Sequence, residues 1–546
     1  VERLYLALIF LTGAITLAME LLASRILTPY FGVSLFIWSG ILSITLIALA
    51  LGYYLGGQFT RTPPSARTHS LEFLFLLMPT LAGSMVVASC LLYPKVFHLL
   101  GSASLVFGAY AACVLLIFFP LVAVSTMNPL LIAIKMERAA SGTSGSDSGS
   151  GLVFFVSTVG SVVGVSLTAF VLIPSLTNFS SMLLLASTLS VVSGFGAWRN
   201  AGLPAPERTR LFAAAAFGIV AAFALLAFAS TYLKKDVPID FGGGQWTLER
   251  EYTSYFGNTK ILKIAPDPNS PEAETVERYG TLYYNDGITM NIVDAQGASL
   301  TPFTWALEFL ARGLRPKAER ALMLGLGAGI IPMRLEAVGV EVDVVEVNPS
   351  SVEAAVDHFG FDDERVNVVV ADARTFVREC PKPYDVVLLD MSNGDGLPEH
   401  LVSLEFFSDV RRCLTPDGIT IFNTFGATEH LEDLDHVFKT LHTVFPHLRM
   451  YHDGLEDGKP SISIYLAAFQ REETAPLVWP NDPVPPGIAP TLEKVFSQER
   501  PIDYTRLERA EILRDEFNRF SILNQASDEF FRESILLTLP PEFLVN

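Results

Sequence analysis

Residues 320–329 read RALMLGLGAG, and the fold of the second half of the chain turns on that stretch. Arg320 to Leu324 is a short apolar run that predicts a buried strand, and Gly325, Gly327 and Gly329 follow at alternate positions. Glycines at a strand-to-helix turn let the backbone approach a ligand that side chains would hold off. Alone, GxGxG is a weak signal; its weight comes from the strands downstream of it. Strands are predicted over 320–325, 341–347, 366–371, 384–390 and 418–424, separated by helical stretches, with a late pair near 447–453 and 461–469. The alternation predicts a mainly parallel sheet. Its second strand ends at Glu346, its third at Asp372-Ala373 and its fourth at Asp390. Open α/β sheets bind ligands at the carboxyl ends of their strands, so a glycine turn and three acids are expected on one edge. Glu346 is placed to accept from both hydroxyls of a ribose, and Asp372 to take an adenine amino group. Ile330 stands where a pyrophosphate-binding turn would carry its last glycine, which favours an adenosyl nucleoside over a dinucleotide.

Upstream, 246–294 reads as a small β region with Asn285-Asp286-Gly287 as a hairpin turn. The text before it is different in kind. Seven apolar runs are long enough to cross a bilayer, at 3–24, 35–57, 71–92, 103–133, 151–173, 179–197 and 211–232. The first is too long for a cleaved leader, contains Glu20 and is followed by further spans. Pro120 and Pro129 predict a kinked or broken fourth span. The Gly52–Gly56 and Gly160–Gly164 spacings predict close helix–helix contacts rather than ligand sites. Glu20 either pairs with Arg25 or lines a pocket for a cation.

Charge follows the same division. Residues 1–230 carry 10 Lys+Arg against 6 Asp+Glu, a net of +4, whereas 231–546 carry 28 against 51, a net of −23. A surface that acidic argues against nucleic acid. It serves either to attract a small polycation such as a diamine or simply for solubility. Cys90, Cys113, Cys380 and Cys413 show no metal-ligand spacing, and no disulfide framework or metal is expected. Sidedness is divided. If the spans alternate, Arg3, Arg61, Arg67, Lys135, Arg138, Arg199, Arg208 and Arg210 share one side, and Arg25, Lys95, Lys234 and Lys235 the other. The positive-inside rule then sends the C-terminal domain outside, unless a span is miscounted, 103–133 foremost; an adenosyl ligand points to the cytoplasm, and the cytoplasmic side is the expectation, with sidedness left open.

Together these features resemble the spermidine synthase family (polyamine aminopropyltransferases), in particular its membrane-fused bacterial members. The likeness is carried by Met19-Glu20 through Ser24-Arg25, by Phe154 through Pro174 with Thr158, Gly160 and Gly164, and by the hairpin motifs at Tyr255–Asn258 and Asn285–Gly287. Asp390 to Leu401 (DMSNGDGLPEHL), followed by Glu405-Phe406-Phe407, resembles the catalytic loop and the helix behind it. The resemblance implies transfer of an aminopropyl group from decarboxylated S-adenosylmethionine to an amine such as putrescine, with Asp390 as base and Asp395 assisting. The competing reading of Asp390 is a helix-capping acid, and His400 is expected to pack or cap. Four features of the family pattern are missing. Ala328 stands for the aspartate that holds the transferred amine, Asn393 for the loop's second aspartate, Met290 for the hairpin glutamine, and Phe303-Thr304-Trp305 for a Tyr-His-Glu run.

The resulting expectation is an α-helical transmembrane bundle of about seven spans (1–232), a small β-hairpin subdomain (233–300), a Rossmann-like, class I methyltransferase-type adenosyl-binding domain (301–473), and a Pro-rich linker with C-terminal helices (474–546). Expected partners are the lipid bilayer of the cell (inner) membrane and a small amine, with homo-oligomerisation left open. Two other functions compete. One is a methyltransferase using S-adenosylmethionine itself, for which Ala328 leaves room at the methionine carboxylate. The other is a non-catalytic transporter or sensor of a polyamine or nucleoside.

Overall fold

A computed structural model of the chain describes residues 2–32, 35–63, 66–140, 149–267, 279–391, 396–454, 461–472, 477–497 and 499–546. It divides into two compact units, one of residues 1–31, 35–236 and 541–546, the other of 32–34 and 237–540.

The first unit contains seven helices long and apolar enough to cross a membrane: α1 (Glu2–Phe31), α2 (Ile37–Thr60), α3 (Leu71–Ala103), α4 (Leu105–Arg138), α5 (Ser150–Ser175), α6 (Asn178–Arg199) and α7 (Ala205–Ala227). Both glycine pairs work as contacts. A Cβ on Gly160 or Gly164 would run into the α1 carbonyls of Phe10 and Ala14, and one on Gly52 or Gly56 into Ser125, Thr126 or Pro129 of α4. Small residues four apart let two backbones meet, which matters where no water is available to drive association. α4 widens into a π-helical turn at Val114–Phe118, next to Pro120, whose missing N–H releases a carbonyl in that turn. Glu20 Oε1 is buried with no hydrogen-bond partner among the described residues. The segment Pro541–Asn546 packs in this unit, where Asn546 O accepts from Phe179 N (2.9 Å) and Glu542 Oε1 from Lys234 Nζ (2.9 Å).

The second unit holds two sheets. Strands β1 (Ile239–Phe241), β2 (Gly244–Ser254), β3 (Gly257–Pro266), β4 (Gly280–Asn285) and β5 (Ile288–Val293) form an antiparallel meander in sequence order. After α8 (Pro302–Leu314) come β6 (Arg320–Leu324), α9 (Ile330–Ala337), β7 (Glu341–Glu346), α10 (Pro349–Phe359), β8 (Asn367–Val370), α11 (Ala373–Glu379), β9 (Tyr384–Leu389), α12 (Leu404–Cys413), β10 (Leu414–Ala427), α13 (Asp435–Val444), β11 (His447–His452) and β12 (Ser461–Phe469). The sheet order is β11-β12-β10-β9-β6-β7-β8, parallel from β10 to β8, with β12 antiparallel to both its neighbours. The inner strands β6, β7, β9 and β10 are covered on both faces, which is why Val386 to Leu389 of β9 is an unbroken apolar run rather than an alternation.

In the stretch after 474, Ile488, Leu492 and Val495 are buried on one face of the sheet and Leu507, Leu513 and Phe520 on the other. One expectation needs correction. Cys380 and Cys413 form a disulfide with their Cα atoms 5.6 Å apart, whereas Cys90 and Cys113 are free and buried. The 33-residue separation gave no sequence signal; adjacency of α11 and α12 on one sheet face creates the pair.

Candidate active site

At the carboxyl edge of the parallel strands, backbone hydrogen bonds tie the strand ends together. Gly325 N donates to Val345 O (2.9 Å), Ala371 N to Glu346 O (3.0 Å) and Asp390 N to Leu324 O (3.0 Å). Gly325, Gly327 and Gly329 all have positive φ, at 95°, 57° and 74°. This is a conformation that L side chains resist. At Gly325 the packing also forbids a side chain, since a Cβ would run into the Asp390 carbonyl oxygen.

Glu346 lies between two loops. Its Oε2 accepts from Leu326 N (2.9 Å) in the glycine turn, and its Oε1 from Asn348 N (2.8 Å) ahead of α10. Each carboxylate oxygen keeps a lone pair for a further donor, the capacity that a ribose diol requires. Burial pushes this carboxyl above the usual carboxylate range, helped by the neighbouring Asp390 charge, and its backbone N–H partners pull the other way.

Asp390 is partly buried, and its Oδ1 accepts from Asn423 Nδ2 (2.9 Å) on β10. Burial raises the carboxyl above its ordinary value, and the Asn423 hydrogen bond offsets part of that rise. Among the described residues Asp390 caps no helix; α12 is capped by Ser403, whose Oγ accepts from Phe406 N. The acid that does cap is Asp372. Its Oδ1 accepts from Thr375 N (2.8 Å) and Thr375 Oγ1 (2.9 Å) at the start of α11, where Ala373 is the first helical residue. Its other oxygen faces His400 Nε2 at 3.7 Å. Burial acts upward on the Asp372 carboxyl, but the Thr375 hydrogen bonds and His400 outweigh it and hold it below the usual range. Asp395 lies outside the described residues.

Two residues of this edge escaped the sequence reading. Asn423 had a faint signal, as the one amide near the end of an apolar strand (Ile419 to Phe425) beside the strand that ends at Asp390. Asn291 had none. A β-bulge in the β4–β5 pair sets Tyr283 opposite Asn291 and Tyr284 opposite Thr289, leaving Met290 as the extra residue. Asn291 Oδ1 therefore accepts from Ala328 N (3.1 Å) in the glycine turn, and its Nδ2 is buried without a hydrogen-bond partner among the described residues. Met290 packs on the apolar cluster that contains Ala328, Tyr283 and Ile330. Where the resemblance implies an acid and an amide, this chain has an apolar patch, with an amide one position on.

Asn291→Leu tests the bulge. Removing the acceptor strands the buried Ala328 N–H, at a cost of about 1–3 kcal/mol. The expected result is a lower melting temperature and a smaller thermal shift with methylthioadenosine. An unchanged shift would remove Asn291 from the site.

A family match lies within the second unit. Residues 334–453 match the family described as Spermine/spermidine synthase domain. A polyamine aminopropyltransferase of Vibrio vulnificus is 30% identical over 164 residues, covering 29% of this chain and 54% of the relative. An N-terminal histidine N-methyltransferase of Emericella nidulans is 29% identical over 180 residues, covering 31% of this chain and 32% of the relative. Thus the chain spans about half the length of the first relative and about a third of the second. The crystal structure of a probable spermidine synthase from Corynebacterium glutamicum superposes at 18% identity and a TM-score of 0.40, covering 50% of this chain and 97% of that one. Behind a run of seven long apolar helices, the chain thus contains a segment, 334–453, that matches the spermine/spermidine synthase domain, and the proteins it is similar to include polyamine aminopropyltransferases.

Proposed function

We propose that the chain is a multi-pass membrane enzyme that transfers an aminopropyl group from decarboxylated S-adenosylmethionine to an amine acceptor. The observation that carries this reading is the meeting of the glycine turn, Glu346 and Asp390 on one sheet edge, with both acids inside the matched segment 334–453 and the turn just ahead of it. In the proposed step the acceptor nitrogen attacks the propyl carbon bonded to the sulfonium. The carbon–sulfur bond breaks, its electron pair stays on sulfur, and methylthioadenosine leaves. An alkylammonium has a reference pKa of about 10, so the attacking nitrogen needs a base to take its proton. Asp390 is assigned that task. Burial brings its proton affinity closer to working pH than an ordinary aspartate's, and Asn423 fixes its orientation. Asp395 is retained as a second candidate on the loop. Glu346 would hold the ribose, and Asp372 with Ala373 the adenine edge, using the carboxylate oxygen that the helix cap leaves over.

Activity should rise with pH as Asp390 loses its proton, with a midpoint above that of an ordinary aspartate. Because the Asn423 hydrogen bond favours the carboxylate, Asn423→Ala should move the acidic limb of the kcat/KM profile to higher pH. An unmoved limb would take Asp390 out of the role of base.

The apolar patch at Ala328 and Met290 favours a second reading, methyl transfer from S-adenosylmethionine itself, because no carboxylate stands at residue 328 to grip a transferred amine. Mass spectrometry of products formed from donors labelled separately on the methyl and aminopropyl groups decides between them. Label passing to the acceptor from the aminopropyl group supports our proposal, and label passing from the methyl group supports the alternative. If neither label moves while the nucleosides still bind, the non-catalytic reading stands.

A further inference from the structure

Two independent features bear on which side of the membrane the synthase unit occupies. The first is the charge layout of the helical unit. One end is rich in Lys and Arg and laced with ion pairs: Lys135 to Glu2 (2.9 Å), Arg67 to Glu137 (2.6 Å) and Arg138 to Glu72 (3.1 Å). The other end carries Arg25, Lys95, Lys234 and Lys235, four basic residues against the eight of the first end, together with an aromatic cluster. Tyr93 and Tyr30 pack on Phe97 with ring centroids 5.3 and 5.5 Å apart, and Lys95 lies 5.3 Å from the Tyr232 ring. The chain leaves α7 for the second unit at this aromatic end, and 541–546 packs there too, against Lys234 and Phe179. Basic residues mark the cytoplasmic ends of membrane helices. With seven spans present, the segment after α7 emerges on the opposite face.

The second feature is the cysteine usage. The two cysteines inside the spans are free, whereas both of those outside them, Cys380 and Cys413, are joined. Disulfides form and persist in oxidising compartments and are rare in the cytoplasm. The bond closes α11, which opens at Asp372-Ala373, onto the last residue of α12, which lies beyond the catalytic loop. Both helices that frame that loop are therefore stapled together.

We infer that the synthase unit faces the extracytoplasmic side, and that Cys380 and Cys413 are oxidised there to a disulfide holding the two loop-flanking helices together. Formation is thiol–disulfide exchange: the two thiols give up two protons and two electrons, one S–S bond forms, and the S–S bond of a disulfide-carrying oxidant is reduced to two thiols. This placement runs against the cytoplasmic side that an adenosyl donor implies, so it does not rest on the proposed reaction; it is read without measuring activity, which keeps its failure distinguishable from the failure of that reaction.

The full chain is expressed in a Gram-negative host with Val338→Cys, an exposed position on the synthase unit, or with Arg61→Cys, an exposed position at the basic end of the bundle. Spheroplasts are treated with a membrane-impermeant maleimide, and the labelled peptides are mapped by mass spectrometry. Val338→Cys should react in intact spheroplasts and Arg61→Cys only after the membrane is opened. The reverse pattern, or equal labelling of the two, overturns the placement. Separately, the unmutated chain is lysed in acid, denatured and alkylated. The Cys380 and Cys413 peptides should be recovered joined, and should separate on reduction. Their recovery as two alkylated thiols overturns the disulfide, whatever the labelling shows.

Discussion

Asp390→Asn should lower kcat by about 10²–10⁴-fold, the range that a positioned general base contributes, while nucleoside binding persists. The substitution keeps the shape of the side chain and its contact with Asn423, and removes only the capacity to take a proton. The two outcomes separate chemistry from architecture. If turnover falls and the thermal shift with methylthioadenosine stays, the carboxylate acts on the amine. If both fall, the group is holding the loop in place. Turnover close to that of the unmutated chain would leave the proposed mechanism without its base. Burial of the carboxyl adds a qualitative signature, because the asparagine variant should also lose the acidic limb of the rate profile.

Gly325→Ala should have a comparably large effect for an unrelated reason. Residue 325 sits at φ 95°, and the space a methyl group would need is taken by the Asp390 carbonyl oxygen. Strain of this kind costs about 1–3 kcal/mol, and overpacking adds about 1–3 kcal/mol. The backbone must shift where the ends of β6, β7 and β9 are bonded together, so the acids move with it. The expected result is a melting temperature several degrees lower for the synthase unit, with no thermal shift from methylthioadenosine or from decarboxylated S-adenosylmethionine. Calorimetry of the purified full chain checks both. Wild-type binding in this variant would mean that the nucleoside does not use the glycine turn. Gly339→Ala is a suitable comparison: it also has positive φ (92°), but a Cβ there meets nothing within 4 Å.

Much of this architecture was legible because its signals are periodic or covalently local. Apolar runs of span length gave the seven helices, and the GxxxG pairs marked contacts that do form. The strand text from Arg320 to Leu389 carried the parallel sheet, because strands buried on both faces must read as unbroken Val and Leu. The carboxyl-edge residues followed from strand ends alone. Whatever depended on a partner distant in sequence was hidden. Asn423 matters only because β10 lies beside β9. The Cys380–Cys413 bond exists because two helices share a sheet face. The tail after 474 reads as a Pro-rich connection followed by helices, and nothing local in it announces that Leu492 and Val495 close the core beneath α8. Asp372 shows a different limit. Its position suited a nucleoside acid, and its immediate neighbours gave it a helix cap as well.

The bulge at Met290 has a practical consequence for anyone redesigning acceptor choice in this protein. Motif matching past the Asn285–Gly287 turn runs one residue out of phase with three-dimensional position, so grafting an amide at 290 would push it into a greasy nest beside Ala328 and Tyr283. Ala328→Asp meets the same obstacle, because its carboxylate would be buried in that apolar cluster beside an amide, Asn291, that already serves the turn.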